Sequence, residues 1–179
     1  MTTYLALLRG VNVSGTSLRM AELKKSLSDL GLENVQTYLQ SGNVIFKSKT
    51  AQAKLAGQIE ARIKKDFGLG ISVLVLSAKE IDAIVTKNPL WPESGGEGSH
   101  FHATFLFDPV TKKTFDALTL PAADGEKAVL AKGAVLLHCP HGYGRTKLNN
   151  TYFEKSLGVK ATTRNWKSVL ALRELCQGQ

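Results

Sequence analysis

Residues 35–46 read VQTYLQSGNVIF, and this stretch decides the fold. Two runs with strand-forming residues, Val35–Gln40 and Val44–Phe46, flank the polar triplet Ser41-Gly42-Asn43. Glycine and asparagine tolerate the backbone of a tight turn, so the two runs are predicted to form neighbouring strands of a hairpin.

Helical and strand patterns alternate outward from this hairpin. Apolar side chains recur at helical spacing before it, and Gly31 follows that helix where a C-terminal cap is favoured. The other predicted elements are a strand over Thr2–Arg9, helices over Leu18–Leu30 and Ala51–Phe67, and a strand over Ile71–Leu76. The resulting order, β-α-β-β-α-β, is that of the ferredoxin-like split βαβ unit.

The second half of the chain repeats this order. Its predicted elements are a linking helix over Ala78–Lys87, strands over Phe101–Phe107, Lys127–Leu130, Val135–Cys139 and Val159–Thr163, helices over Lys112–Leu118 and Lys147–Leu157, and a last helix over Asn165–Cys176. We therefore predict an α+β fold, a duplicated ferredoxin-like unit with an additional C-terminal helix. Residues 1–77 would form the first unit. Residues 78–179 would hold the linking helix, the second unit and the last helix, all packed as one globule.

The predicted strands are apolar on both faces. In the first strand, Tyr4, Ala6 and Leu8 alternate with Leu5 and Leu7, so both faces must be covered. An RNA-binding domain of the same topology leaves one face open for base stacking. The pattern therefore disfavours RNA binding on an open sheet.

Composition and charge narrow the class of protein. The 179 residues are 43% hydrophobic and 21% charged, which excludes a disordered or collagen-like chain. No apolar run approaches the roughly 18 residues that span a bilayer, and no signal peptide is recognisable, so we expect a cytoplasmic protein with no membrane partner. A net charge of +8 favours nucleic acid as a partner, but the cations are spread along the chain rather than gathered in a tail.

The sequence predicts neither a metal site nor a cofactor. Cys139 lies in His138-Cys139-Pro140-His141, but a zinc site uses four ligands in spaced pairs, and the other candidates are scattered. We instead interpret Cys139 as the end of an apolar strand. Its wide separation from Cys176 along the sequence is typical of a protein in a reducing compartment. Walker A and G-x-G-x-x-G patterns are absent from the sequence.

No pattern supports an enzyme class. The sequence holds no G-x-S-x-G elbow, and Glu93 and Glu97 fall in a loop rich in glycine and serine rather than forming a close carboxylate pair. Hydrolysis and group transfer stay open as activities without residues that indicate them.

The loop Arg9-Gly10-Val11-Asn12-Val13-Ser14-Gly15 joins the first strand to the first helix. Such a junction presents free backbone N–H groups and the positive end of a helix dipole, which suit an anion. The alternative is an irregular connector in which Asn12 caps its own backbone.

Cations also stand at three predicted helix starts, where the dipole favours acids. They are Arg19, the pair Arg145 and Lys147, and Arg164. Either some of them meet on a bound anion, or all are exposed side chains whose cost solvent screens. Asn149 and Asn150 are poor helix formers inside a predicted helix, so they are candidates for recognition.

Three motifs resemble the signatures of a bacterial family known as domain of unknown function number sixteen-ninety-seven. They are ALLRGVNV at residues 6–13, TYLQSGNV at residues 37–44 and TRNW at residues 163–166. The resemblance runs from residue 2 to about residue 175 and implies a duplicated ferredoxin-like fold without an assigned activity. Polar motif positions at loop ends are typical of a binding site. These positions are Arg9, Asn12, Gln40, Ser41, Asn43, Arg164 and Asn165, with Trp166 as a core anchor of the last helix.

Three functional hypotheses follow from the sequence. The first is a protein that binds a small anionic or phosphate-bearing ligand, with Arg9 and Arg164 converging as ion-pairing groups. In it, Asn12, Gln40 and the neighbouring turn residues orient the ligand. The second is a nucleic-acid-binding module that uses the positive charge. The third is an interaction protein with no ligand site.

Overall fold

The computed structural model describes residues 1–92 and 96–179. Its strands are β1 (Thr2–Leu8), β2 (Glu33–Tyr38), β3 (Asn43–Ser48), β4 (Val73–Ser77), β5 (Phe101–Leu106), β6 (Lys127–Ala131), β7 (Ala134–His138) and β8 (Ala161–Asn165). Its α-helices are α1 (Met20–Asp29), α2 (Gln52–Phe67), α3 (Ala78–Thr86), α4 (Lys112–Asp116), α5 (Asn150–Leu157) and α6 (Trp166–Gln177). Glu93, for which the sequence predicts a loop, lies outside the described residues.

The strands form two four-stranded antiparallel sheets of the same topology. The first has the order β2-β3-β1-β4 and the second the order β6-β7-β5-β8. Within each sheet the chain runs β-α-β-β-α-β, with the first and last strands paired to each other. The prediction of a duplicated ferredoxin-like α+β fold followed by a C-terminal helix is confirmed.

Contacts divide the chain into two compact units. Unit 1 comprises Met1–Asp82 and Ala171–Gln179, and unit 2 comprises Ala83–Leu170. The boundary thus falls within α3, and the end of α6 belongs to unit 1. No helix among residues 1–92 and 96–179 is both long and apolar enough to cross a membrane.

The core of unit 1 lies between the sheet and helices α1 and α2. Its members alternate along the strands and recur at helical spacing on the helices: Tyr4, Ala6, Leu8, Val44, Phe46, Leu23, Leu27, Leu55, Ile59 and Ile63. The intervening strand residues Leu5, Leu7 and Ile45 are buried as well. Since Val44–Phe46 is wholly buried, β3 presents no exposed aromatic ring to a base.

The core of unit 2 follows the same plan. It includes Leu106, Phe115, Val135, Leu137, Cys139, Leu148, Phe153 and Ala161. This region also contains polar side chains. The hydroxyl groups of Thr104 and Thr163 form a hydrogen bond of 2.9 Å across β5 and β8.

Several predicted boundaries in unit 2 differ from the structure by one to three residues, and hydrogen bonding explains two of the differences. Helix α5 begins at Asn150 rather than at Lys147, because the Asn149 side chain accepts a hydrogen bond from the Tyr152 N–H and so caps the helix. Strand β8 runs past Thr163 because Arg164 pairs with Ala103 of β5.

Candidate functional site

Two loops of unit 1 meet beside the end of β1. The Leu8 N–H donates to the Gly42 carbonyl at 2.8 Å, which joins the strand end to the turn at residues 39–42. A Cβ on Gly42 would lie 2.5 Å from Val11 Cγ2 and 2.7 Å from Leu8 Cβ. The turn therefore fits against the loop at residues 9–19 so closely that a side chain at Gly42 has no room. We call these two segments the paired loops.

The Asn12 side chain ties the paired loops together. Its amide nitrogen donates to the Gln40 carbonyl at 2.6 Å and to the Leu18 carbonyl at 3.0 Å. Its amide oxygen accepts from the Leu18 N–H at 2.9 Å. Both hydrogens of the amide nitrogen are thus engaged with backbone, and Asn12 sets the shape of the loop before α1.

Asn43 closes the turn from inside. Its side chain is fully buried and donates to the Tyr38 carbonyl at 2.8 Å and to Ser41 Oγ at 2.9 Å. These bonds fix Ser41 relative to the last residue of β2, while Gln40 is exposed.

Backbone strain is concentrated in the paired loops. Among residues 1–92 and 96–179, the non-glycine residues with positive φ are Asn12 (54°), Ser14 (48°), Asn34 (50°) and Leu39 (58°). All but Asn34 lie in the paired loops. A non-glycine residue in this region costs on the order of 1 kcal/mol and persists only where its surroundings hold it.

Exposed apolar side chains accompany the strain. Val13 and Leu39, one from each of the paired loops, are 56% and 53% exposed. Leucine in the left-handed region with more than half its surface in solvent gains little from folding. Neither feature contributes to the core, and strained backbone of this kind clusters at functional sites.

Arg9 follows β1 directly and is half-buried. Its backbone N–H donates to the Ser72 carbonyl at 3.0 Å, so the residue continues the alignment of β1 with the chain entering β4. The structure thus brings Arg9, Asn12 and the predicted turn residues into one region of unit 1.

Arg164 lies in unit 2 and not at a helix start. It stands inside β8, 7% exposed, and its Nη1 donates to Thr162 Oγ1 at 2.8 Å and to the Thr163 carbonyl at 3.1 Å. Burial lowers its pKa to about 10, which still leaves the guanidinium charged at neutral pH. The prediction that Arg164 occupies the first turn of a helix is wrong, because the strand continues through it.

The remaining residues predicted for recognition in unit 2 form local hydrogen bonds. Asn165 Oδ1 accepts from the Ser168 N–H at 2.9 Å and so caps α6. Asn150 donates to the Ala161 carbonyl at 3.1 Å and accepts from the Thr163 hydroxyl, which ties α5 to β8.

The other cations predicted at helix starts lie before the helices. Arg19 is the N-terminal flanking residue of α1, and its guanidinium lies 3.8 Å from Glu22. Arg145 and Lys147 precede the first residue of α5 and are exposed.

Unit 2 also contains a buried histidine, at a position where the sequence pattern predicts a core or rim residue. His102 is 7% exposed, its ring stacks on Tyr143 with 4.5 Å between centroids, and its Nδ1 has no hydrogen-bond partner among the described residues. Burial, reinforced by the positive charge of His100, lowers the pKa of His102 to about 4.

The part of the chain that the structure describes contains neither a metal-binding cluster of side chains nor a reactive thiol. No group of three or more His, Cys, Asp or Glu side chains is placed to hold a metal ion there. Cys139 and Cys176 are free and buried, and burial raises the pKa of each thiol to about 11. Neither thiol is ionised at neutral pH.

Comparison with known proteins gives a family rather than an activity. A family model described as "Protein of unknown function (DUF1697)" matches residues 1–136, which include both motifs of the paired loops. The conserved bacterial protein SP0830 from Streptococcus pneumoniae has a similar structure, with 25% sequence identity and a TM-score of 0.79 over 99% of each chain. No curated protein is significantly similar to the chain. Since the family match spans most of its length, the chain belongs to the DUF1697 family of uncharacterised proteins.

Proposed function

We propose that this protein binds a small anionic ligand at the paired loops of unit 1. The observation that carries the proposal is the concentration of left-handed non-glycine residues at Asn12, Ser14 and Leu39. Strain of this kind is disfavoured in a connector that only joins a strand to a helix. It clusters at sites where a loop must hold one shape for a ligand.

The chemistry of the loop supports an anion. Left-handed residues alternating with others turn successive backbone N–H groups toward one side, which forms an anion-binding concavity. Gly10 and Gly15 both have positive φ, and a Cβ on either would meet no atom within 4 Å. The space beside the backbone is therefore open at both ends of this segment.

Arg9 supplies the charge in this proposal. A guanidinium group presents two parallel N–H donors that match a phosphate or carboxylate. Gln40 and Ser41 orient the ligand, and Asn12 and Asn43 act as positioning residues because their amides hold the two loops in register. Arg164 and Asn165 of unit 2 stay a predicted second contribution, and their convergence with Arg9 stays a prediction.

A thermal-shift series tests the proposal. Inorganic phosphate, nucleotides and sugar phosphates are added to the wild type, Arg9→Ala, Arg9→Lys, Arg164→Gln and the control Lys25→Ala. Lys25 is an exposed cation of α1 in an ion pair of 3.5 Å with Asp29, so its loss makes the same change in net charge away from the loops. We expect a ligand-dependent rise in Tm that Arg9→Ala removes, Arg9→Lys weakens and Lys25→Ala retains.

Two outcomes contradict parts of the proposal. An equal rise in Tm for the wild type and Arg9→Ala removes the paired loops as the binding site. Loss of the rise in Arg9→Ala but not in Arg164→Gln keeps the site and removes Arg164 from it.

A further inference from the structure

Unit 2 contains a cavity of about 320 Å³ between two long loops. The loops are residues 117–126, between α4 and β6, and residues 139–149, between β7 and α5. The cavity is lined by Pro121, Ala122, Ala123, Arg145 and Lys147. The equivalent connections in unit 1 are only residues 30–32 and 49–51, so the repeated fold does not need these loops.

Hydrogen bonds hold the two loops in place. A ring nitrogen of His141 lies 2.9 Å from the Asp124 carbonyl oxygen, which joins one loop to the other. The Glu126 carboxylate is buried and accepts from the Ala123 N–H at 2.9 Å. The wall of the cavity at Ala123 is therefore fixed from within its own loop.

The two cations face the cavity from one short segment. Thr146 between them is buried and extended (φ −75°, ψ 145°), and its hydroxyl accepts from the Leu148 N–H at 3.0 Å. Arg145, the last residue of a short 3-10 helix, and Lys147 both line the cavity. Within residues 1–92 and 96–179, neither of them forms an ion pair.

Helix α5 is not the source of positive potential here. Two of its first three N–H groups are already satisfied, since the Asn150 N–H donates to the Tyr143 hydroxyl and the Tyr152 N–H to Asn149. The attraction for an anion comes from the two side chains.

We propose that this cavity binds a small phosphate monoester, as a site separate from the paired loops. The dianionic phosphate group matches the two positive charges, with the guanidinium fork of Arg145 on two oxygens and the Lys147 ammonium on a third. The remaining lining, Pro121–Ala123, is apolar or backbone and contacts a compact organic group. A volume of about 320 Å³ is near the lower end for small-molecule sites, which excludes a large ligand.

The experiment uses the full chain labelled with ¹⁵N and titrated with glycerol phosphate, inorganic phosphate and acetate. Backbone amide shifts and isothermal titration calorimetry are measured for the wild type, the double variant R145Q/K147Q and the matched double variant K112Q/K113Q. Lys112 and Lys113 are exposed cations of α4 outside the cavity lining, so both variants lose the same charge. Each substitution lies on the surface, and the amide spectrum itself reports whether the variant is folded.

We expect saturable shifts at residues 122–124 and 145–148, strongest with glycerol phosphate and weakest with acetate. Loss of two charge-assisted contacts should weaken binding by at least about a hundredfold in R145Q/K147Q, and K112Q/K113Q should bind as the wild type does. Equal binding with inorganic phosphate and glycerol phosphate would show that the organic group makes no contact and would overturn the monoester assignment.

Two further results overturn the site. One is the absence of saturable shifts at these residues with every probe up to about 10 mM, a concentration well above the Kd of a functional site. The other is unchanged affinity in R145Q/K147Q. A negative result for this cavity leaves the proposal for the paired loops unaffected, because the two sites use different residues. For the same reason, Arg9→Ala is expected to retain the shifts at residues 145–148.

Discussion

The two sheets share strand order and the register between their first and last strands, but they differ in what fills equivalent positions. Leu5 pairs with Leu76 in unit 1, and Ala103 pairs with Arg164 at the equivalent place in unit 2. Both positions are buried. The topology is therefore set by which positions are buried, and one buried position accepts either a leucine or a guanidinium group whose donors find oxygen acceptors.

The same contrast holds on the face covered by helices. Tyr4 of β1 and His102 of β5 occupy equivalent register positions and are both buried. Tyr4 lies beside Phe46, with 5.8 Å between ring centroids, and His102 stacks on Tyr143. Unit 1 thus has strained backbone in the paired loops, whereas unit 2 has ionisable side chains buried within its sheet.

The largest expected effect is a difference in stability between glycine variants of the two hairpin turns. Gly42 and Gly133 both have φ of 83°, and their carbonyls accept from the equivalent Leu8 and Leu106 N–H groups at 2.8 and 2.9 Å. Gly42→Ala meets Val11 and Leu8, whereas a Cβ at Gly133 meets nothing within 4 Å. We expect Gly42→Ala to lower the free energy of unfolding by about 3 kcal/mol or more, and Gly133→Ala by about 1 kcal/mol.

Urea unfolding followed by circular dichroism measures both losses. Both tryptophans of the chain, Trp91 and Trp166, lie in unit 2, so their fluorescence reports on that unit alone. Similar losses in the two variants would mean that backbone conformation, rather than close packing of the paired loops, decides the cost at Gly42.

The next effect is a pH dependence specific to unit 2. The pKa of His102 is about 4 in the folded protein and 6.5 when unperturbed, so between these values the unfolded chain binds the extra proton. The free energy of unfolding should therefore fall as the pH is lowered from 6.5 to 4, by at most about 3 kcal/mol from this group. Burial also lowers the pKa of His138, which adds to the same trend.

The variant His102→Phe keeps a ring for Tyr143 and removes the titrating group. Urea midpoints measured across this pH range should vary less in His102→Phe than in the wild type. Tyr4→Phe, at the equivalent position of unit 1, should keep the full slope. An unchanged slope in His102→Phe would assign the pH dependence to other groups.

The fold was predictable because its signals are local. Alternating apolar residues and the turn at Ser41-Gly42-Asn43 fix a strand pair within a dozen residues, and the order of elements then leaves few topologies. The strand limits in unit 2 were less accurate, because the pairing of Arg164 with Ala103 depends on residues far apart in the chain.

The site was predictable only in part, for the same reason. The motifs placed Arg9, Asn12 and Gln40 in neighbouring loops, and the structure brings these segments together through the bond from Asn12 to the Gln40 carbonyl. The left-handed backbone at Ser14 and Leu39 had no sequence signal, since serine and leucine do not favour it. The cavity beside Arg145 depends on contacts between two loops that no motif marks.

The smallest expected effect compares the starts of the equivalent helices α2 and α5. Asn149 caps α5 through the Tyr152 N–H, whereas Ala51 precedes α2 with extended backbone (φ −61°, ψ 137°) and no side-chain cap. We expect Asn149→Ala to lower the free energy of unfolding by about 1 kcal/mol, and Ala51→Asp to raise it by about 0.5–1 kcal/mol, since Ala51 is exposed and already has the backbone of a cap. Thermal and urea unfolding of both variants measure the two changes. If Ala51→Asp does not raise the free energy of unfolding, the first N–H groups of α2 already have other hydrogen-bond partners. The difference in capping between the two units then contributes nothing to stability.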